Sequence, residues 1–142
     1  MNRRAFVTGS SAFLAAPLAA EAQQPKTVPR IGFVSVNVPA VMSARTEAFR
    51  QGLSELGYVE GKNIVIEWRY ADGKLDRLPA LATDLVRLKV DVVVSAGPSV
   101  TRSMKEATAA IPIVMAFDND PVGSRFVASL ARPGGNITGL AA

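Results

Sequence analysis

Two spacings of apolar residues alternate along this chain from residue 30 onward. Ile31-Gly32-Phe33-Val34-Ser35-Val36 is a short, nearly unbroken apolar run of the kind a buried strand needs. Val41, Ala44, Ala48, Phe49, Gly52, Leu53 and Leu56 then recur at steps of three and four, which makes one helix face, and Gly57 supplies its C-terminal stop. Over residues 63–70, Ile64, Ile66, Trp68 and Tyr70 alternate with Val65, Glu67 and Arg69, as in a half-exposed strand. Leu75, Leu78, Leu81, Ala82, Leu85, Val86 and Leu88 make a second amphipathic helix. Asp91-Val92-Val93-Val94-Ser95 is apolar on both faces, as a central parallel strand is.

The alternation continues to the end of the chain. A third helix is predicted over residues 99–109 and a fourth strand over 111–117, with Pro112 at its start, where a missing N–H is tolerated. A fourth helix is predicted over residues 122–131; Pro133-Gly134-Gly135 then turns the chain into a fifth strand over 136–140. Strands alternating with helices through short links predict an α/β class, with a doubly wound parallel sheet and right-handed crossovers. In such a sheet the ligand site lies beyond the carboxyl ends of the strands where strand order reverses, which for the order 2-1-3-4-5 is between the first and third strands.

Three loops meet that condition: residues 37–39, 96–100 and 118–121. In Ala96-Gly97-Pro98-Ser99-Val100-Thr101, the free N–H groups at a helix start and the Ser99 and Thr101 hydroxyls suit a carboxylate or another anion. The same geometry would arise if Ser99 were simply the N-cap of the third helix. Asp118-Asn119-Asp120-Pro121 offers either an acid/base pair or cation site, or a cap: Asp120 at the start of the helix opening at Pro121, with Asp118 facing the cleft. The candidate ligand contacts are thus Asn37, Ala96, Gly97, Ser99, Val100, Thr101 and Asp118. Trp68 and Tyr70 either stack on a ligand or pack beneath a helix.

Composition removes several chemistries. The 142 residues contain no Cys and no His, so there is no thiolate or imidazole metal site, no disulfide and no Ser-His or Cys-His nucleophile pair. Neither a P-loop nor a GxGxxG occurs, and neither catalytic residues nor a cofactor are expected. Sixteen Lys and Arg against twelve Asp and Glu give a mild net charge of +4 without a basic run, which argues against nucleic acid as a partner.

Residues 1–22 read as an export signal. Arg3-Arg4 with Phe6 resembles the twin-arginine form, a small-residue apolar stretch follows, and Ala20-Glu21-Ala22 is an A-x-A cleavage site. The stretch, broken by Thr8, Gly9, Ser10, Ser11 and Pro17, is too short and weak to stay as a membrane span. The expectation is an exported periplasmic protein with a short leader over residues 23–29 and an α/β lobe over 30–142.

Several segments carry a family resemblance, among them Phe49-Arg50-Gln51-Gly52-Leu53, Leu56-Gly57-Tyr58-Val59-Glu60-Gly61-Lys62-Asn63, Glu67-Trp68-Arg69-Tyr70-Ala71, Ile111-Pro112-Ile113-Val114, Asp120-Pro121-Val122-Gly123 and the run from Leu130-Ala131-Arg132-Pro133 to Leu140. In order and spacing the chain resembles the tryptophan/tyrosine-type ABC transporter substrate-binding proteins. The resemblance implies the first lobe of a type I periplasmic-binding-protein fold that closes with a second lobe on a small molecule, plausibly an aromatic or apolar amino acid. It implies a permease and, through it, an ATPase as partners. Family members have about twice this length, so the chain resembles a truncated form lacking its second lobe. Where the family tends to have Thr-Pro after the third strand, this chain has Pro98-Ser99, and Ser124-Arg125-Phe126 is bulkier than usual. Three other readings remain: a doubly wound enzyme, the ligand-sensing domain of a signalling protein, and a non-functional fragment of a binding protein.

Overall fold

The computed structural model describes residues 27–141, so the export segment lies outside the described residues. The elements are β1 (Arg30–Ser35), α1 (Pro39–Glu55), β2 (Val65–Tyr70), a 3-10 turn (Leu75–Arg77), α2 (Leu78–Arg87), β3 (Val92–Ala96), α3 (Pro98–Ala107), β4 (Ile113–Asp118) and β5 (Ile137–Ala141). The five strands form one parallel sheet in the order β2-β1-β3-β4-β5, as the sequence predicts. All the strand carboxyl ends therefore lie along one rim.

Burial divides between the two sheet faces. On one, Val34, Val93, Ile113, Met115 and Ile137 pack against Leu78, Ala82 and Leu85 of α2 and Val100 and Met104 of α3. On the other, Ile31, Phe33, Ile66, Val94 and Ala96 meet Met42, with Phe49 and Leu53 also of α1 packed against them. Two helices cover the first face, and among the described helices only α1 supplies side chains to the second core. Trp68 and Tyr70 belong to that packing: the Trp68 ring is 5.0 Å from Phe33 and 6.4 Å from Phe49, and Tyr70 is 6.4 Å from Phe33.

Two expectations fail. The buried row of α1 is Met42 and Thr46 with half-buried Phe49 and Leu53, while Val41 and Leu56, placed on the core face by periodicity, are 67% and 76% exposed. Both rows share Phe49 and Leu53; what hid the true one is the polar Thr46, which is buried because its hydroxyl donates to the Ser43 carbonyl at 3.1 Å.

The fourth predicted helix does not form. Residues 120–127 make an irregular turn in which Ser124 N–H donates to Asp120 O, and Phe126 and Val127 N–H both donate to Pro121 O. Arg125 sits at φ 60°, a left-handed position a helix interior does not tolerate. Phe126 and Val127 are both buried, and consecutive positions on a helix point about 100° apart. A broken turn aims both inward.

The loop before β2 is held by side chains. Asn63 accepts Val59 N–H and donates to Gly57 O, so β2 starts at Val65 rather than at 63. Glu60 accepts from Arg50 Nε at 2.8 Å and from Trp68 Nε1 at 2.7 Å, and the Arg50 guanidinium lies 4.4 Å over the Trp68 ring. Burial pushes the Glu60 carboxyl up, but the Trp68 and Arg50 hydrogen bonds and the Arg50 charge outweigh it and hold the group below its ordinary 4.5. A carboxyl lowered on folding adds stability that is present above its unfolded value and lost as pH falls through the folded one. Glu60→Gln is therefore expected to lower the melting temperature at neutral pH, with the gap to the parent closing below pH 4.5; a gap of constant size down to strongly acidic pH would contradict this.

Candidate functional site

The rim between β1 and β3 is built from three chain segments. Ser35 ends β1, fully buried, and its hydroxyl accepts Asn37 N–H at 3.1 Å, which folds the loop back and leaves the Asn37 side chain exposed beside Met42. At the end of β3, Ala96 is 7% exposed and Gly97 adopts φ 114°, open to glycine and strained for other residues. A side chain at Gly97 would also stand 3.6 Å from the Phe117 ring.

Gly97, not Ser99, is the N-cap of α3, with Pro98 as its first helical residue, so of the two readings of Ser99 the capping one is not the structure's. Pro98, preset for the first turn, places the cap two residues before Ser99, at φ 114°. Ser99 is consequently exposed on the rim, and the N–H groups of Ser99 and Val100 precede the first helical bond, from Thr101 N–H to Gly97 O at 3.1 Å. The Val100 side chain is in the core.

Thr101 faces inward as well. Its hydroxyl lies 2.7 Å from the Ser95 hydroxyl and 3.2 Å from Gly97 O, and both residues are fully buried. This pair ties the last residues of β3 to the first turn of α3 and so fixes the loop. The sequence offered Thr101 as a direct contact; the structure places its hydroxyl behind the loop. Ser95 was not singled out, and the available signal was a lone hydroxyl at the end of a run apolar on both faces.

Asp118 and Asp120 have separate tasks. Asp120 is exposed and accepts Gly123 N–H at 2.8 Å, the expected capping role exercised on a single turn. Asp118 ends β4, 1% exposed; its Oδ1 accepts Asp120 N–H at 2.8 Å, and its Oδ2 has no partner among the described residues. Ala96, the last residue of β3, pairs with Phe117, so Asp118 and Gly97 each follow directly on that last pair. The rim thus collects Asn37, Gly97, the Ser99 and Val100 amides and Asp118, with Thr101 supporting it from behind. Among the described residues no group of three or more acidic residues is placed to hold a metal ion, and no helix is long and apolar enough to cross a membrane.

A parallel 2-1-3-4-5 lobe with hydrogen-bonding groups gathered on its carboxyl rim is a periplasmic-binding-protein-like domain. The chain belongs to the ABC transporter substrate-binding protein family, whose profile matches residues 32–142. This is a family of substrate-binding proteins rather than of enzymes. The chain is 32% identical over 104 residues to the tyrosine-binding protein of Clostridioides difficile (strain R20291), an alignment covering 73% of this chain and 30% of that protein. Its fold matches a conserved domain protein from Vibrio cholerae, with a TM-score of 0.76 and 30% identity over 81% of this chain and 39% of that one. It also matches an ABC domain in complex with L-Trp from Streptococcus pneumonia (TM-score 0.75, 26% identity, 81% and 39%). A third match is a ligand-free, open substrate-binding protein with adhesive properties from Clostridium difficile (TM-score 0.74, 26% identity, 79% and 38%). The chain therefore spans between three and four tenths of the length of these relatives.

Proposed function

We propose that this chain supplies one lobe of the solute-binding component of an ABC uptake transporter, with no catalytic role, and that its ligand is a small molecule such as an aromatic or apolar amino acid. The observation that carries this is the family match over residues 32–142 together with the cluster of donors and acceptors on the rim that the fold reserves for ligands. Relatives described as tyrosine-binding and L-Trp-bound support this ligand class. In this reading Asn37, Ala96, Gly97, Ser99, the Val100 amide and Asp118 face the solute, Thr101 holds their loop, and a permease with its ATPase receives the loaded protein. The test is titration calorimetry with L-Trp and L-Tyr on a form extended by a second lobe. Ser99→Ala is expected to weaken binding by about 1–3 kcal/mol through loss of a buried hydrogen bond. Unchanged affinity would remove Ser99 from the site.

The export reading is part of the same proposal. Arg3-Arg4 and Ala20-Glu21-Ala22 support twin-arginine export to the periplasm with cleavage after residue 22. Replacing both arginines by lysine is expected to stop export, and sequencing of periplasmic material should begin near Gln23; an intact Met1 there would refute the cleavage.

A further inference from the structure

We infer that Asp118 selects a ligand bearing a positively charged nitrogen: the carboxyl group at the end of β4 is a recognition point for an amine, within the ligand site proposed above and dependent on that reading. Among the described residues, Asp118 Oδ2 is the one buried side-chain oxygen or nitrogen left without a hydrogen-bond partner. Buried polar atoms in native proteins are nearly always satisfied, so an orphan calls for a donor from outside the described chain. Among the described residues no cation is paired with it: every described ion pair involves other carboxylates.

The placement fits a ligand contact better than a structural one. Oδ1 already does the local work by accepting Asp120 N–H, which leaves Oδ2 with no part in the turn. Asn119 and Asp120, next in sequence, are exposed, so the carboxyl group lies one step inside the rim. Phe117, the residue before Asp118, pairs with Ala96 of β3, and Gly97, directly after Ala96, opens the loop carrying the Ser99 and Val100 amides. The rim thereby presents acceptor and donors side by side: an acidic oxygen for a cationic group, and helix-start N–H groups for an anionic one. A zwitterion matches both, and a molecule with the anion alone leaves Oδ2 unsatisfied. Discrimination follows because a polar group buried without its partner is penalised more than a weak contact is missed.

The experiment uses the chain as it stands and three probes: L-tryptophan, tryptamine, which keeps the amine and lacks the carboxylate, and indole-3-propionate, which keeps the carboxylate and lacks the amine. Amide NMR titrations are followed at Gly97, Ser99, Val100 and Asn119, so weak binding is measurable residue by residue. The wild type is expected to bind L-tryptophan and tryptamine at least about ten-fold more tightly than indole-3-propionate. Asp118→Asn retains the oxygen that accepts Asp120 N–H and is expected to remove that preference while leaving indole-3-propionate binding within about two-fold; amide dispersion and melting temperature confirm that the variant is folded. Should the variant fail to fold, Asp118→Ser repeats the comparison. Equal binding of amine and des-amino probes by the wild type, or a preference that survives in the folded variant, overturns the role of Asp118 while leaving the loop as the ligand site. Absence of any shift at the loop with all three probes overturns both the role and the site.

Discussion

Residues 23–142 on their own are expected to hold L-Trp or L-Tyr no more tightly than the millimolar range and to self-associate on concentration. The matched part of the chain covers between three and four tenths of the relatives' length, so a single rim is expected to provide only part of the surface a ligand meets. Losing contacts raises the free energy of the complex, while the entropic cost of association remains nearly the same, and affinity falls steeply. Water also stays at the rim and competes for the Ser99 and Val100 amides.

Association follows from the second sheet face. Beside α1, a groove of about 430 Å³ is lined by Phe33, Met42, Arg45, Phe49, Ala96 and Phe117, largely apolar groups that a doubly wound sheet normally covers. At the sheet margin β5 pairs with β4, and Leu140 within it is 69% exposed. Light scattering beside a binding titration is the check. A monodisperse monomer with micromolar affinity would show that one lobe suffices.

What the sequence disclosed and what it withheld have separate physical origins. The sheet and its order were legible because β1, β3 and β4 are apolar runs, and buried parallel strands leave few ways to connect them. The row of α1 that packs was obscured by one buried threonine whose hydroxyl is satisfied within its own helix. The helix expected over residues 122–131 is replaced by a broken turn in which Arg125 takes a left-handed conformation, showing that the sequence pattern there does not make a helix once backbone conformation opposes it.

At the rim, residue types alone located the right loops without assigning tasks within them. Ser99 read equally well as the N-cap of α3 or as a ligand contact until Pro98 fixed the helix start and gave the cap to Gly97. Thr101 and Ser95 find each other only because β3 and α3 fold back at Gly97, a pairing that no spacing rule encodes. The unpartnered oxygen of Asp118 is likewise a property of the packed state, since any unfolded carboxyl group is solvated.

A marked loss of stability from a small side chain is expected at Gly32. It lies in the middle of β1, paired with Glu67 of β2 and Val93 of β3, so backbone movement there would disturb two ladders. A methyl group at this position would stand 2.7 Å from Leu85 Cδ1 and 3.1 Å from Cδ2. Leu85 is fully buried in the core, so its terminal methyls can give way only by displacing packed neighbours. Gly32→Ala gains up to about 1 kcal/mol from reduced freedom of the unfolded chain. Overpacking, about 1–3 kcal/mol and here against a packed neighbour, outweighs that gain, and a net destabilisation of about 1–2 kcal/mol is expected. Leu85→Ala alone leaves a cavity and is expected to cost about 2–5 kcal/mol. In the double variant the new methyl group occupies part of that cavity, so the combined loss should be smaller than the sum of the two single losses. Urea unfolding of the four proteins gives the coupling directly, and strict additivity would show that Gly32 and Leu85 are not in the contact that their geometry describes.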